Sequence, residues 1–259
     1  MEDLKVTLVQ YDISWEDIDK NLEYLDKKLS LLESPATDVI VLPEMFATGF
    51  SMNAEKLAEP MDGKTMKWME RIAKQRQCVV TGSIIIKENN RFYNRLIWMR
   101  PDGTYEHYDK RHLFAMGKEH DNYIPGEKRI IVELKGWKIA PFICYDLRFP
   151  VWLRNTNFEY DLLLLAANWP ERRISHWRTL INARAIENQA YVVAVNRVGN
   201  DGNEVYHSGD SLVVDPMGNE LYHKKGAEDI QTVTLLAQEL KKTRDALPFL
   251  KDADSFNII

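Results

Sequence analysis

Apolar residues recur along the chain with two periods, and the switching between them describes a layered α/β arrangement. Leu4 to Val9 reads as a strand. The segment opened by Ser14-Trp15-Glu16-Asp17 then carries Trp15, Ile18, Leu22, Leu25, Leu29 and Leu32 at alternating spacings of three and four, one buried stripe of a helix. Val39-Ile40-Val41-Leu42 is too short for a helix and wholly apolar, as a strand covered on both faces is, and Pro43 ends it directly before Glu44. A helix over 65–75 follows, then strands over 78–86 and 92–99 joined by an Asn89-Asn90 turn. After Pro101-Asp102-Gly103, a short strand over 104–108 runs up to Lys110. Ile130 to Leu134, a turn at Gly136 and Trp137 to Ile143 make a hairpin that delivers Cys144 at the end of an apolar strand. Leu162 to Ala167 is another buried strand, ending at Asn168-Trp169-Pro170. A helix over 175–188, a strand over 191–196 and a hairpin of 211–214 with 220–222 around Asp215-Pro216-Met217-Gly218 precede the terminal segment.

The order strand, helix, strand, helix, hairpin occurs twice, with the Asp102-Gly103 and Met217-Gly218 turns in equivalent places, which suggests two similar halves. No linker separates them, so one domain over 1–259 is expected. Two mixed sheets face to face with helices outside, a four-layer αββα sandwich, would bury both sets of apolar strands. With 45% hydrophobic and 28% charged residues, the composition is that of a globular chain and not a disordered one.

The formal net charge of −5 argues against a nucleic-acid partner, which needs a surplus of Lys and Arg. Two cysteines, Cys78 and Cys144, fit a reduced compartment better than a disulfide scaffold. The N-terminus enters a strand with no secretory pattern, and no apolar run approaches the ~20 residues that span a bilayer. A soluble, cytoplasmic protein with no membrane partner is the expectation.

Glu44, Lys110 and Cys144 each follow a separate strand run, where the ligand-facing residues of open α/β sheets collect, so a single shared pocket is the economical arrangement. Singly, each has a plainer explanation. Cysteine is commonly buried, lysine is commonly a solvated charge, and glutamate after proline commonly starts a helix. Together they suffice for acyl transfer. A thiol at its ordinary pKa of ~8.5 needs a base or a nearby cation to act as a nucleophile at neutral pH. Glu44 can remove the proton, while Lys110 and the backbone N–H of Tyr145 can stabilise the oxyanion formed when sulfur attacks a carbonyl.

Leu42-Pro43-Glu44-Met45-Phe46, Asp109-Lys110-Arg111-His112-Leu113-Phe114 and Ile143-Cys144-Tyr145-Asp146-Leu147-Arg148-Phe149-Pro150 resemble, in order and spacing, the signature segments of the nitrilase-like carbon-nitrogen hydrolases. Cys144 through Trp152, with Ala167-Asn168-Trp169-Pro170, is similar to the omega-amidase group, in particular its YafV-like branch. The resemblance implies an αββα sandwich, usually a homodimer, with Cys144 as nucleophile, Glu44 as general base and acid, Lys110 as oxyanion stabiliser and Glu119 as a second glutamate that positions substrate. No metal or organic cofactor is required. Omega-amidases hydrolyse short dicarboxylic monoamides such as 2-oxoglutaramate to the acid and ammonia. Arg148, Arg172 and Arg173 therefore become candidates for a bidentate grip on a carboxylate, and Phe46, Phe114, Tyr123 and Trp169 for the pocket wall.

Other readings stay open at this point. Relatives in the superfamily include nitrilases and N-carbamoyl hydrolases, and a Cys-His pairing of Cys144 with His112, His176 or His207 is the nearest enzymatic rival. A catalytically silent binding module is the alternative outside enzymes. No Gly-x-Ser-x-Gly elbow and no His-Glu-x-x-His is present. Cys78, entering an apolar strand, is expected to be an ordinary buried thiol.

Overall fold

Neighbouring residues of the first strands face two different cores. In β1 (Leu4–Gln10), Leu4, Val6 and Leu8 face one core and Val9 the other; in β2 (Val39–Val41), Val39 and Val41 part from Ile40 in the same way. The computed structural model describes residues 1–32 and 37–256. Between these strands, α1 (Ile18–Leu29) lays Leu22, Leu25 and Leu29 on the outer core. It starts later than its apolar stripe suggests. Glu16 adopts a positive φ of 53°, and the Asp17 carboxylate caps the helix by accepting from Lys20 N at 3.0 Å, which leaves Trp15 outside the helix.

After the short α2 (Ala54–Leu57), α3 (Lys64–Arg76) packs Met69 and Ile72 beside α1. β3 (Val79–Glu88) runs parallel to β2, and β4 (Arg91–Met99) and β5 (Tyr105–Asp109) continue the sheet antiparallel. The second sheet begins with the hairpin of β6 (Val132–Leu134) and β7 (Trp137–Ile143). The short α4 (Pro150–Leu153) leads to β8 (Leu162–Ala166), and α5 (Ile174–Asn188) leads to β9 (Tyr191–Val195). β7, β8 and β9 are parallel; β10 (Val198–Asn200), β11 (Tyr206–Val214) and β12 (Glu220–Lys225) extend the far side antiparallel.

The two sheets meet through a common core that holds Trp98 of β4 and Trp137 of β7, both fully buried, with α1 and α3 outside one sheet and α5 outside the other. This is the αββα sandwich. The expected repeat holds for the turns 101–103 and 215–218, which join β4 to β5 and β11 to β12. It breaks where α1 has only the four-residue α4 as its counterpart. The terminal segment adds β13 (Asp229–Leu235), antiparallel to β1 from Leu4↔Leu235 to Gln10↔Asp229, and α6 (Ala237–Ala246).

Candidate active site

Glu44 owes its position to a bend laid flat on β3. Beyond β2, Leu42 N donates to Thr81 O at 2.8 Å, Met45 N to Ser83 Oγ at 2.8 Å and Phe46 N to Ser83 O at 3.1 Å. Gly82 lies between these anchors: a Cβ there would meet Leu42 Cβ at 2.8 Å and the Phe46 ring at 3.0 Å, so the close approach requires glycine. Met45, at φ 43°, turns the chain back, and Phe46 is carried into the outer core against Trp68, ring centroids 5.7 Å apart. Phe46 is therefore not part of a pocket wall, contrary to the sequence expectation.

Lys110 follows β5 and extends its ladder, its N–H donating to Asn94 O at 3.0 Å. Its Nζ donates to Glu44 Oε1 at 2.8 Å and to Glu119 Oε1 and Oε2 at 3.0 and 2.9 Å. The Asn94 carboxamide bridges the same two acids from Nδ2, at 2.8 Å to Glu44 Oε1 and 3.1 Å to Glu119 Oε1. Phe114 N donates to Glu119 Oε2 at 2.6 Å and Asn168 N to Glu44 Oε2 at 3.0 Å, while the Asn168 side chain donates to the Glu44 carbonyl. Glu44, Asn94, Lys110 and Glu119 are all buried. Burial alone would lower the pKa of Lys110, but Glu119, Glu44 and Cys144 outweigh it and hold the ammonium charged. Burial pushes the Glu119 carboxyl up, with Lys110 opposing.

Cys144 follows β7 with φ 41°, a left-handed conformation that costs a non-glycine residue roughly 1–2 kcal/mol. The corner is pinned by Asp146. Its Oδ2 accepts from Ile143 N at 3.1 Å and Tyr108 Oη at 2.7 Å, and its Oδ1 from His112 N at 2.9 Å and His112 Nδ1 at 2.8 Å. The thiol faces the Glu44 carboxylate, the Lys110 ammonium and the Asn168 N–H; burial, then the Glu44 charge, push its pKa well up, so it rests as a thiol. Cys78 is buried, and burial pushes its thiol up to about 12. His112 is taken up by Asp146, His176 lies 3.2 Å from Arg148, and His207 donates from Nδ1 to Val205 O at 2.9 Å, so the Cys-His pairings are not formed.

A cavity of about 440 Å³ opens over the thiol. Of the residues expected to line it, Phe114, Tyr145, Arg148, Trp169, Arg172 and Arg173 do, alongside Glu44, Lys110 and Cys144. Tyr123 does not. It lies buried behind the acid pair, donating from its hydroxyl to Ser51 O at 2.6 Å. Arg148 sits over the Trp169 ring at 4.7 Å and Arg173 over the Phe114 ring at 5.2 Å. Sequence reasoning missed Asn94, the donors of Asn168, and Trp15 in the cavity lining; His207, weighed there only as a partner for Cys144, lines the cavity as well. Trp15 carried a signal in the unusual Trp-Glu-Asp helix opening; Asn94 carried none beyond being a polar residue within a strand.

The chain is similar to known proteins over its full length. The omega-amidase YafV of Escherichia coli K12 is 43% identical over 263 residues, covering 100% of both chains. The 2-oxoglutaramate amidase of Bacillus subtilis is 34% identical over 255 residues, covering 95% of this chain and 96% of the relative. The crystal structure of a CN-hydrolase superfamily protein of Xanthomonas campestris, with an arsenic adduct in its active site, is 42% identical and superposes with a TM-score of 0.98 over 100% of both chains. The carbon-nitrogen hydrolase family profile matches residues 5–245. With this match, these relatives and an αββα sandwich in common, the chain belongs to the carbon-nitrogen hydrolase family.

Proposed function

We propose that the chain hydrolyses the terminal amide of a short omega-amido dicarboxylate of the 2-oxoglutaramate type, giving the acid and ammonia through a thioester on Cys144. In this reading Glu44 takes the thiol proton as sulfur attacks the amide carbon, then returns it to the departing ammonia. Water deprotonated by Glu44 releases the acid from the thioester. Lys110 and the Tyr145 N–H hold the oxyanion in both halves. Lys110 Nζ spends its hydrogens on Glu44 and on both oxygens of Glu119, so one of the two Glu119 contacts gives way when the oxyanion forms. Glu119 thus positions the lysine, and through it the substrate.

One observation carries the choice of substrate class. The cavity over the thiol has a wall with three arginines, Arg148, Arg172 and Arg173, and none of them pairs with a carboxylate among the described residues. Arg173 has its pKa lowered by burial and by the neighbouring Arg172. A guanidinium in that state gains most from an anionic ligand. The names of the omega-amidase and 2-oxoglutaramate amidase relatives point the same way.

The same reading has the protein in the cytoplasm, in keeping with its two unpaired cysteines, and acting as a homodimer. Exposed Val151, Phe249 and Phe256 share one surface groove that a second copy would cover. Ammonia release from 2-oxoglutaramate, 2-oxosuccinamate, glutamine, a simple nitrile and an N-carbamoyl amino acid tests the substrate class. Turnover of the first two is expected, and turnover of only the last two would overturn the assignment.

A further inference from the structure

Asn94 lies within β4, buried, opposite Ile85 of β3 and bonded through its carbonyl to the Lys110 N–H. Its Nδ2 gives one hydrogen to Glu44 Oε1 and the other to Glu119 Oε1, while Oδ1 has no hydrogen-bond partner among the described residues. A buried asparagine kept for folding alone satisfies both ends of its amide. Here only the donor end is used, and donors of this kind favour the ionised form of each acid.

The charges in the cluster make that preference consequential. Two buried carboxylates face one ammonium and a neutral thiol, which leaves one negative charge uncompensated. The titratable groups facing the acid pair are Lys110 beyond β5, Cys144 beyond β7 and Tyr123 on the loop that carries Glu119. Burial holds Tyr123 neutral, so Lys110 is the one cation among them. Without the Asn94 hydrogens, uptake of a proton by the pair becomes more favourable, and a protonated Glu44 cannot accept another from sulfur. The two oxygens of Glu44 are also unequal. Oε1 is held by Lys110 and Asn94, and Oε2 accepts from Asn168 N, the same N–H that faces the thiol.

Resting on the reading of Glu44 as base, we propose that Asn94 is a positioning residue of the reaction: it bridges Glu44 and Glu119 so that both stay ionised around Lys110, and it directs the proton of Cys144 to Glu44 Oε2. The S–H bond breaks as the C–S bond forms; its proton goes to Oε2 and the carbonyl π pair goes to oxygen. When the oxyanion collapses, the C–N bond breaks and the proton leaves on ammonia.

Asn94→Leu removes both donors at similar volume, and Asn94→Asp keeps the shape while adding a third carboxylate. The readouts are the pH profile of kcat/KM on an amide substrate and of Cys144 alkylation by iodoacetamide in the free enzyme. In both variants the acid limb of each profile is expected to move up by about one pH unit or more. At neutral pH kcat falls by about tenfold or more, with KM changed by less than about threefold, and activity is regained at higher pH. Should Asn94→Leu fail to fold, Asn94→Asp carries the test. A folded variant whose acid limb stays at the wild-type position overturns the proposal, whatever its stability. Glu44→Gln, measured in parallel, separates the two readings. If it still acylates, the base assignment falls and the role of Asn94 with it; if it is inert while the Asn94 variants keep the wild-type limb, the Asn94 proposal alone falls.

Discussion

Asp146 grips His112 twice, accepting its backbone N–H at 2.9 Å and its Nδ1–H at 2.8 Å on a single oxygen. The other oxygen holds Ile143 N and the Tyr108 hydroxyl. One buried carboxylate therefore ties the segment that carries Lys110 to the segment that carries Cys144, without touching either functional group. Asp146→Ala leaves these donors without their acceptor, at a cost of about 3–5 kcal/mol. Denaturant unfolding should show that loss, and kcat should fall by about 100-fold or more, as expected when reacting groups lose their alignment. Wild-type kinetics in Asp146→Ala would mean that the two segments hold their places independently.

Arg173 provides a test of substrate recognition that leaves the chemistry alone. Arg173→Met keeps the stem over Phe114 and removes the charge. For a carboxylate-bearing amide, kcat/KM is expected to fall by about 10- to 100-fold, the equivalent of one charge-assisted hydrogen bond or ion pair. For a neutral short amide it should change little. Equal losses on both substrates would remove Arg173 from carboxylate binding.

His207 sets a pH dependence of stability. Burial, then the nearby Arg197 charge, lowers its pKa from 6.5 to about 4. The folded protein refuses a proton that the unfolded chain takes up below pH 6.5. The contribution of His207 is thus complete above pH 6.5 and is lost as pH falls toward 4, by up to about 3 kcal/mol. Thermal melts from pH 7 to 4 should show His207→Gln losing less stability over this interval than the wild type. Parallel curves would show that His207 takes up a proton in the folded state.

The strands and the meeting of Glu44, Lys110 and Cys144 were legible in the sequence because each residue follows a strand, apolar before Glu44 and Cys144 and mixed before Lys110, and sandwich strands end on one edge. Phe46 was misplaced because alternation does not register the left-handed Met45, which reverses the direction of everything after it. Tyr123 has the composition of a wall residue, yet its hydroxyl is anchored behind the site on Ser51. β13 escaped notice because Gln231, Thr232 and Thr234 dilute its apolar alternation; its partner β1 supplies the stability that its own composition does not. Asn94 was invisible because its meaning comes from two acids distant in the chain.

The thioester on Cys144 is tested most directly by rapid-quench intact-mass spectrometry during turnover of 2-oxoglutaramate. An adduct of the acyl mass is expected on wild-type protein, located at Cys144 and not at Cys78, decaying as the acid appears and absent from Cys144→Ala, which should release no ammonia. Ammonia release by Cys144→Ala, or an acyl adduct located at another residue, would contradict the assignment of Cys144 as nucleophile.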